Sequence, residues 1–300
     1  MNIEVIFRIL PPEMFSSVKL NEIKRLQEIR IRANRKTILK LDNEEIITNY
    51  LPTQKELTTM VQRFCDNSIY SYQSQICNGF ITLFGGHRVG ITGNMVMNNG
   101  KISNINYISS LNIRIAKEII GASDNLINEV LQNGVINNTL IVSPPGCGKT
   151  TVLRDLIRNI SNYGFTISVI DERGEISAMY KGVPQNDLGL RTDVMENVTK
   201  SLGMKIAIRT MAPQVIVADE IGTDEDLEAI NYGICSGVKG IFTAHGATID
   251  DIKLNPTLRE LAENGAFERI IFLSQKEKGE VQKVYALNKI EKQYVLCNES

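Results

Sequence analysis

The second half of the chain carries short, nearly continuous apolar runs at 139–142, 166–170, 215–218 and 240–243, separated by stretches in which apolar residues recur every three or four positions. Runs so short predict strands buried on both faces, and the longer period between them predicts amphipathic helices. The expected helices cover 149–160, 194–210 with a break around Gly203, and 224–235. This alternation predicts an α/β fold, a mostly parallel sheet with helices on both faces. Two further strands are expected at 268–274 and 283–287, joined by a charged turn.

The first 120 residues have another rhythm. Glu28 to Arg32 alternates as EIRIR, while Leu57, Met60, Val61 and Phe64 share helical spacing. Between 79 and 114, apolar runs are punctuated by Gly85-Gly86, Gly93 and Asn98-Asn99-Gly100, the last an expected hairpin turn in an antiparallel sheet. The pattern therefore predicts a smaller α+β domain over 1–120 and the α/β domain over 121–300, with the boundary near Gly121 to Asp124.

Composition narrows the function. The 33 Lys plus Arg against 34 Asp plus Glu exclude a globally basic, nucleic-acid-coating protein. No apolar run approaches the ~18 residues of a spanning helix, so no direct transmembrane insertion is expected. The opening MNIEVIFRILPPEMF places Glu4 and Arg8 inside its apolar stretch and reads as a poor secretory signal, so a cytoplasmic location is expected. Five cysteines, without a CxxC pair, fit reduced thiols better than a disulfide frame or a zinc site.

The chemistry concentrates where the strands end. Ser143-Pro144-Pro145-Gly146-Cys147-Gly148-Lys149-Thr150-Thr151 follows one apolar run and opens a helix. Glycines there let successive N–H groups face one concavity, and the helix N-terminus adds partial positive charge. Pro145, Gly146, Cys147, Gly148, Lys149, Thr150 and Thr151 are thus expected to cradle phosphates, with Lys149 reaching the β- and γ-phosphates and Thr150 meeting Mg²⁺. Ser143 stands where the usual pattern begins with Gly. The run Gln214 to Ala218 leads into Asp219, expected in the outer shell of Mg²⁺, and Glu220, expected to polarise the attacking water. A second strand end, Asp171-Glu172-Arg173, offers Asp171 or Glu172 to the γ-phosphate, and the choice between them stays open. His245, after a third strand, reads as a γ-phosphate sensor. Arg88, Arg114, Arg191 and Arg209 are the candidates for stabilising charge on the transferring phosphoryl group, in cis or from a neighbouring subunit.

The order of phosphate loop, VIDERGEI, VIVADEIG and FTAHG resembles the secretion-ATPase superfamily of RecA-like hexameric motors. EIRIRANRK, GGHRVGITGN, VIDERGEISA, GVPQNDLGLRTDV and MAPQVIVADEIGT are most similar to the stage III sporulation AA family of endospore-forming bacteria, across nearly the whole chain. The resemblance implies a RecA-like P-loop core, Mg²⁺-dependent hydrolysis of ATP, and a homo-oligomer, as a hexamer. It further implies a place peripheral to the mother-cell side of a membrane complex, with membrane proteins of the channel between mother cell and forespore as partners. It also implies that the N-terminal portion packs against a neighbour's ATPase portion, so that Arg88 and Arg114 reach its nucleotide. Two other readings are open: a nucleic-acid-dependent RecA-like ATPase, for which the balanced charge gives no strong signal, and a nucleotide-gated assembly scaffold with little turnover.

Overall fold

The alternating stretch Glu28–Arg32 is strand β1, and its period of two buries Ile29 and Ile31 while Arg30 points out. In the computed structural model, which describes residues 3–16, 18–42 and 44–299, the chain divides into two units. The first runs to Glu118 and also takes in Ala178–Gln185; the second comprises Ile119–Ser177 and the chain from Asn186 onward.

In the first unit, β1 is joined by β2 (Ile38–Lys40), β3 (Glu45–Ile47), β4 (Phe80–Thr82), β5 (Arg88–Asn98) and β6 (Lys101–Arg114). The sheet order is β3-β2-β1-β6-β5-β4, antiparallel throughout. Asn99 and Gly100, at φ 48° and 75°, make the two-residue turn between β5 and β6, where the hairpin was expected. Helices α1 (Glu4–Ile9), α2 (Leu20–Ile23), α3 (Gln54–Phe64) and α4 (Gln73–Cys77) complete the unit. Helix α3 starts at Thr53, whose hydroxyl accepts the Glu56 N–H while the Glu56 carboxylate accepts the Thr53 N–H. Its Leu57, Met60, Val61 and Phe64 all enter the core.

The segment 178–185 is bound into this same unit. Tyr180 Oη donates to Asp66 at 3.0 Å, Lys181 pairs with that carboxylate at 2.8 Å, and Gln185 Oε1 accepts the Gly85 N–H at 2.7 Å. The bond from Lys181, with those from Tyr180 and Tyr72, holds the Asp66 carboxyl below the ordinary aspartate range against the opposing effect of burial.

The second unit opens with α5 (Ile127–Val130) and a small hairpin of β7 (Leu131–Gln132) and β8 (Val135–Ile136). Its main sheet holds β9 (Thr139–Val142), β10 (Ile167–Asp171), β11 (Thr192–Glu196), β12 (Val215–Ala218), β13 (Lys239–Ala244), β14 (Arg269–Leu273), β15 (Val281–Asn288) and β16 (Gln293–Glu299). The order is β11-β10-β12-β13-β9-β14-β15-β16; the first six are parallel, and β15 and β16 extend the sheet antiparallel. The helices are α6 (Lys149–Tyr163), α7 (Lys200–Thr210), α8 (Asp224–Cys235), α9 (Ile249–Leu254) and α10 (Pro256–Glu263).

Alternate strand residues feed two separate apolar layers. Ile141, Val169, Val217 and Ile241 pack with Val152, Leu156 and Ile160 of α6 on one face. Leu140, Ile170, Ile216 and Phe242 pack with Met204, Ala229 and Leu258 of α7, α8 and α10 on the other. Each fully buried side chain of this size contributes about 1.5–3 kcal/mol, so these layers fix the strand ends from which the candidate site is built.

The expected helix 194–210 divides. Residues Thr192–Glu196 pair in parallel with β10 as β11, Asn197 turns the chain with φ 60°, and the helix begins only at Lys200. Nor does Gly203 break it: α7 runs through Gly203, where an added Cβ would lie 2.5 Å from Ile170 Cγ2. That glycine lets the helix approach the sheet.

Candidate functional site

Strand β9 ends in a loop whose conformation depends on glycine. Gly146 and Gly148 have φ of 80° and 93°, and Gly148 caps α6 in the left-handed region. Ser143, at the pattern's first position, is fully buried, and its carbonyl accepts a hydrogen bond from Lys149 Nζ at 2.9 Å. Pro145 and Gly146 face solvent, Cys147 is buried, and Thr150 and Thr151 are half-buried on the first turn of α6. Gly279, from the turn between β14 and β15, donates its N–H to the Cys147 carbonyl at 2.9 Å and so braces the loop.

Because β13 lies between β9 and β12, its end faces both the phosphate loop and the acidic pair. His245 Nδ1 is 3.1 Å from Lys149 Nζ, and Nε2 is 3.1 Å from Glu220 Oε1. An ammonium can only donate, so Nδ1 accepts and Nε2–H donates to the carboxylate. The imidazole thus links the cation of the loop to the acid of the neighbouring strand. Burial pushes the Lys149 ammonium below the ordinary lysine value, with Asp219 and Glu220 opposing that shift.

Asp219 lies between two hydroxyls. Thr150 Oγ1 donates to Oδ2 at 2.9 Å, and Thr243 Oγ1 donates to Oδ1. The same Thr243 oxygen accepts the Glu220 N–H at 2.8 Å. Glu220 holds φ 54°, an uncommon conformation for a glutamate, and the Thr243 bond anchors it there. Thr243 is fully buried and stands beside Asp219, since Ala218 pairs with Phe242 in the β12–β13 register. Sequence reasoning passed over this residue. Its signal was a hydroxyl inside the otherwise apolar run 240–244, two positions before His245.

The acids after β10 have separate surroundings. Asp171 is buried and accepts bonds from the N–H groups of Glu175, Ile176 and Ser177 and from the Ser177 hydroxyl, at 2.6–3.2 Å. Its carboxylate organises the turn that follows. Glu172 is more open and pairs with Lys200 at 2.9 Å. Arg173 reaches across to pair with the Glu220 carboxylate.

The four candidate arginines separate. Arg88 and Arg114 are register partners on β5 and β6 of the first unit, with the Arg88 guanidinium 4.2 Å from the Phe80 ring centroid. Arg191 precedes β11, and its carbonyl accepts the N–H of Ile167, the first residue of β10. Arg209 lies in the last turn of α7, with its Nε bonded to the Lys205 carbonyl. Both therefore sit toward the amino ends of the parallel strands, away from the edge that carries Lys149 and Asp219.

The oxygens of Thr150 and Asp219 converge at the helix N-terminus and are hard donors of the type Mg²⁺ takes. Among the described residues, no three His, Cys, Asp or Glu side chains form a metal cage. Mg²⁺ held by one or two protein oxygens together with phosphates requires none. No helix among the described residues is long and apolar enough to cross a membrane.

Residues 4–291 match the family model described as sporulation stage III, protein AA. Stage III sporulation protein AA of Bacillus subtilis (strain 168) is 36% identical over 290 residues, covering 93% of this chain and 94% of its own. Protein SEEDLING PLASTID DEVELOPMENT 1 of Arabidopsis thaliana is 27% identical, over 86% of this chain and 36% of that protein. Among solved structures, the Legionella pneumophila ATPase DotB aligns with a TM-score of 0.60 at 13% identity, over 97% of this chain and 83% of that one. The pilus retraction motor PilT, solved with bound ADP, aligns with a TM-score of 0.58 at 17% identity, over 92% and 79%. The fold is that of these P-loop ATPases, a mostly parallel α/β core with a smaller antiparallel unit.

Proposed function

Since the chain belongs to the family of sporulation stage III, protein AA, we propose that it is a Mg²⁺-dependent ATP hydrolase, the cytoplasmic motor of a channel complex between mother cell and forespore. The observation that carries this reading is one continuous constellation at the strand ends: Lys149 to His245 to Glu220, beside Thr150 to Asp219 to Thr243.

In this reading the N–H groups of Gly146 to Thr150 and the start of α6 receive the β- and γ-phosphates, and Lys149 supplies the neutralising cation. The Thr150 hydroxyl and Asp219 would hold Mg²⁺, which would supply charge neutralisation at the phosphate oxygens. Glu220 orients and polarises the attacking water, and His245 relays the presence of the γ-phosphate between Lys149 and Glu220. Asp171 organises the turn after β10 and Glu172 pairs with Lys200, and in this reading neither acts on the phosphate. Arg88 and Arg114 of a neighbouring copy in a hexameric ring are the proposed trans contributors to the charge on the phosphoryl group. The membrane proteins of the channel complex are the proposed partners, with this chain peripheral to the mother-cell side.

Phosphate release from Mg-ATP tests the proposal. Lys149→Ala should abolish nucleotide binding or turnover, and unchanged hydrolysis would refute the site. The pairing of Glu220 with both Arg173 and His245 favours one other reading, a nucleotide-gated scaffold in which that carboxylate stays engaged. Equal and negligible turnover in wild type and Glu220→Gln, with ATP binding intact, would establish it instead.

A further inference from the structure

At the far end of the main sheet from β11, strand β16 has β15 as its neighbour on one side and no strand on the other among the described residues. Open edges are templates for another extended chain, and proteins usually blunt them with lysine, proline or a covering element. Residues 293–298 read QYVLCN, without a charge or a proline, and Val295 and Leu296 are 48% and 42% exposed. Between the flanking charges of Lys292 and Glu299, residues 293–298 carry none of these guards.

Beside its first residues opens a cavity of about 350 Å³, between the β15–β16 hairpin and helices α9 and α10. Ile252, Tyr285 and Tyr294 give it apolar walls. Tyr294 is fixed in place, because its Oη donates to the Phe267 carbonyl at 2.9 Å. Three cations, Lys253, Arg259 and Lys292, face one acid, Glu263, around the lining. Lys253 already pairs with Asp250 at 3.0 Å. The exposed side chains of Arg259 and Lys292 have no ion-pair partner among the described residues.

We propose that β16 and this cavity form a docking site for an acidic peptide segment in extended conformation. The segment adds to the sheet as a further strand, seats one apolar side chain against Tyr285 and Tyr294, and lays its acids against Arg259 and Lys292. Main-chain pairing along an edge supplies affinity without sequence preference, and the side-chain pocket and the charges supply the choice of partner. The site lies apart from the phosphate loop and does not depend on the proposed hydrolysis.

The test uses the full chain and two fluorescein-labelled peptides. One is Asp-Asp-Thr-Val-Thr-Phe-Thr-Val-Thr-Asp-Asp, and its twin carries lysine at the four aspartate positions. Fluorescence anisotropy should show the acidic peptide binding about tenfold more tightly than its twin, with the difference shrinking as salt is raised. The double variant Arg259→Glu/Lys292→Glu should abolish the preference, and hydrogen exchange should show protection by the peptide within 293–298. The comparison of the two peptides on the wild-type chain stands even if that variant fails to fold. Equal affinities, no binding tighter than about 1 mM, or protection confined elsewhere would overturn the proposal. So would sedimentation showing a dimer whose 293–298 amides are protected without peptide, since the edge would then belong to a second copy.

Discussion

Replacing Thr243 by valine removes one oxygen and leaves the side-chain volume almost unchanged, which isolates what that oxygen does. It donates to the Asp219 carboxylate and accepts the Glu220 N–H, inside a fully buried side chain. A hydrogen bond to a charged group is worth about 1.5–3 kcal/mol, and a donor left unsatisfied in a buried setting costs about 1–3 kcal/mol. Taking the lower part of each range, the variant loses roughly 2–3 kcal/mol. For a unit of this size each kcal/mol lowers the melting temperature by about 2–4 °C, so a fall of roughly 4–12 °C is expected. Glu220 also loses the anchor of its left-handed backbone. If only ~1 kcal/mol of the loss is felt in the transition state, kcat falls about fivefold. Differential scanning fluorimetry and Mg-ATP turnover measure the two effects. Thr243→Ser keeps the hydroxyl and should recover most of the activity, which separates positioning from packing. A valine variant with wild-type melting temperature and wild-type kcat would refute the role assigned to this oxygen.

Two further outcomes concern the scaffold of the site. Burial would raise the Glu268 carboxyl, but bonds from Lys239, the Asn138 N–H and Lys289 overcome it and hold the group down to about 2. A carboxyl with a depressed folded pKa stabilises above its unfolded value and loses that contribution as pH falls through the folded one. Glu268→Gln should therefore cost roughly 2–4 kcal/mol near pH 7, and urea titrations should show the gap to wild type closing between about pH 4.5 and 2. A gap independent of pH would remove the carboxylate from the explanation. Gly203→Ala should destabilise the second unit by about 1–3 kcal/mol in chemical denaturation, because the new methyl would meet Ile170 at 2.5 Å. In an exposed helix the same change stabilises by about 1 kcal/mol, so the sign of the effect decides the matter.

The strands of the main sheet were legible because burial on both faces leaves an uninterrupted apolar run, as at Thr139–Val142 and Val215–Ala218. Thr192–Glu196 lacks such a run; it lies at the sheet edge with partly exposed residues, and its mixed pattern merged with the helix behind it. Helices α9 and α10 escaped notice because each is short, with an N-terminal cap at Thr248 or Asn255 rather than a long period to announce it. Lys149, Thr150, Asp219, Glu220 and His245 were readable as strand-end chemistry, and the structure gathers them at one edge. The surroundings of Asp171 were not legible, because a carboxylate that caps a turn and one that faces a ligand have the same letter; the N–H groups it accepts come from residues four to six positions later. The positions of Arg191 and Arg209 were not legible, because sequence does not say at which end of a parallel strand an arginine lies.

The excursion of residues 178–185 has a consequence for how this architecture can be recombined. The polypeptide passes between the two units at 118/119, 177/178 and 185/186, so neither part is a single uninterrupted stretch of gene. A chimera made by one splice near residue 118 would strand Tyr180 and Lys181 without the Asp66 they bind, and would deprive Gly85 of Gln185. Exchange of the amino-terminal part between relatives therefore requires a matching graft of these eight residues, and its natural variation is expected to travel with them.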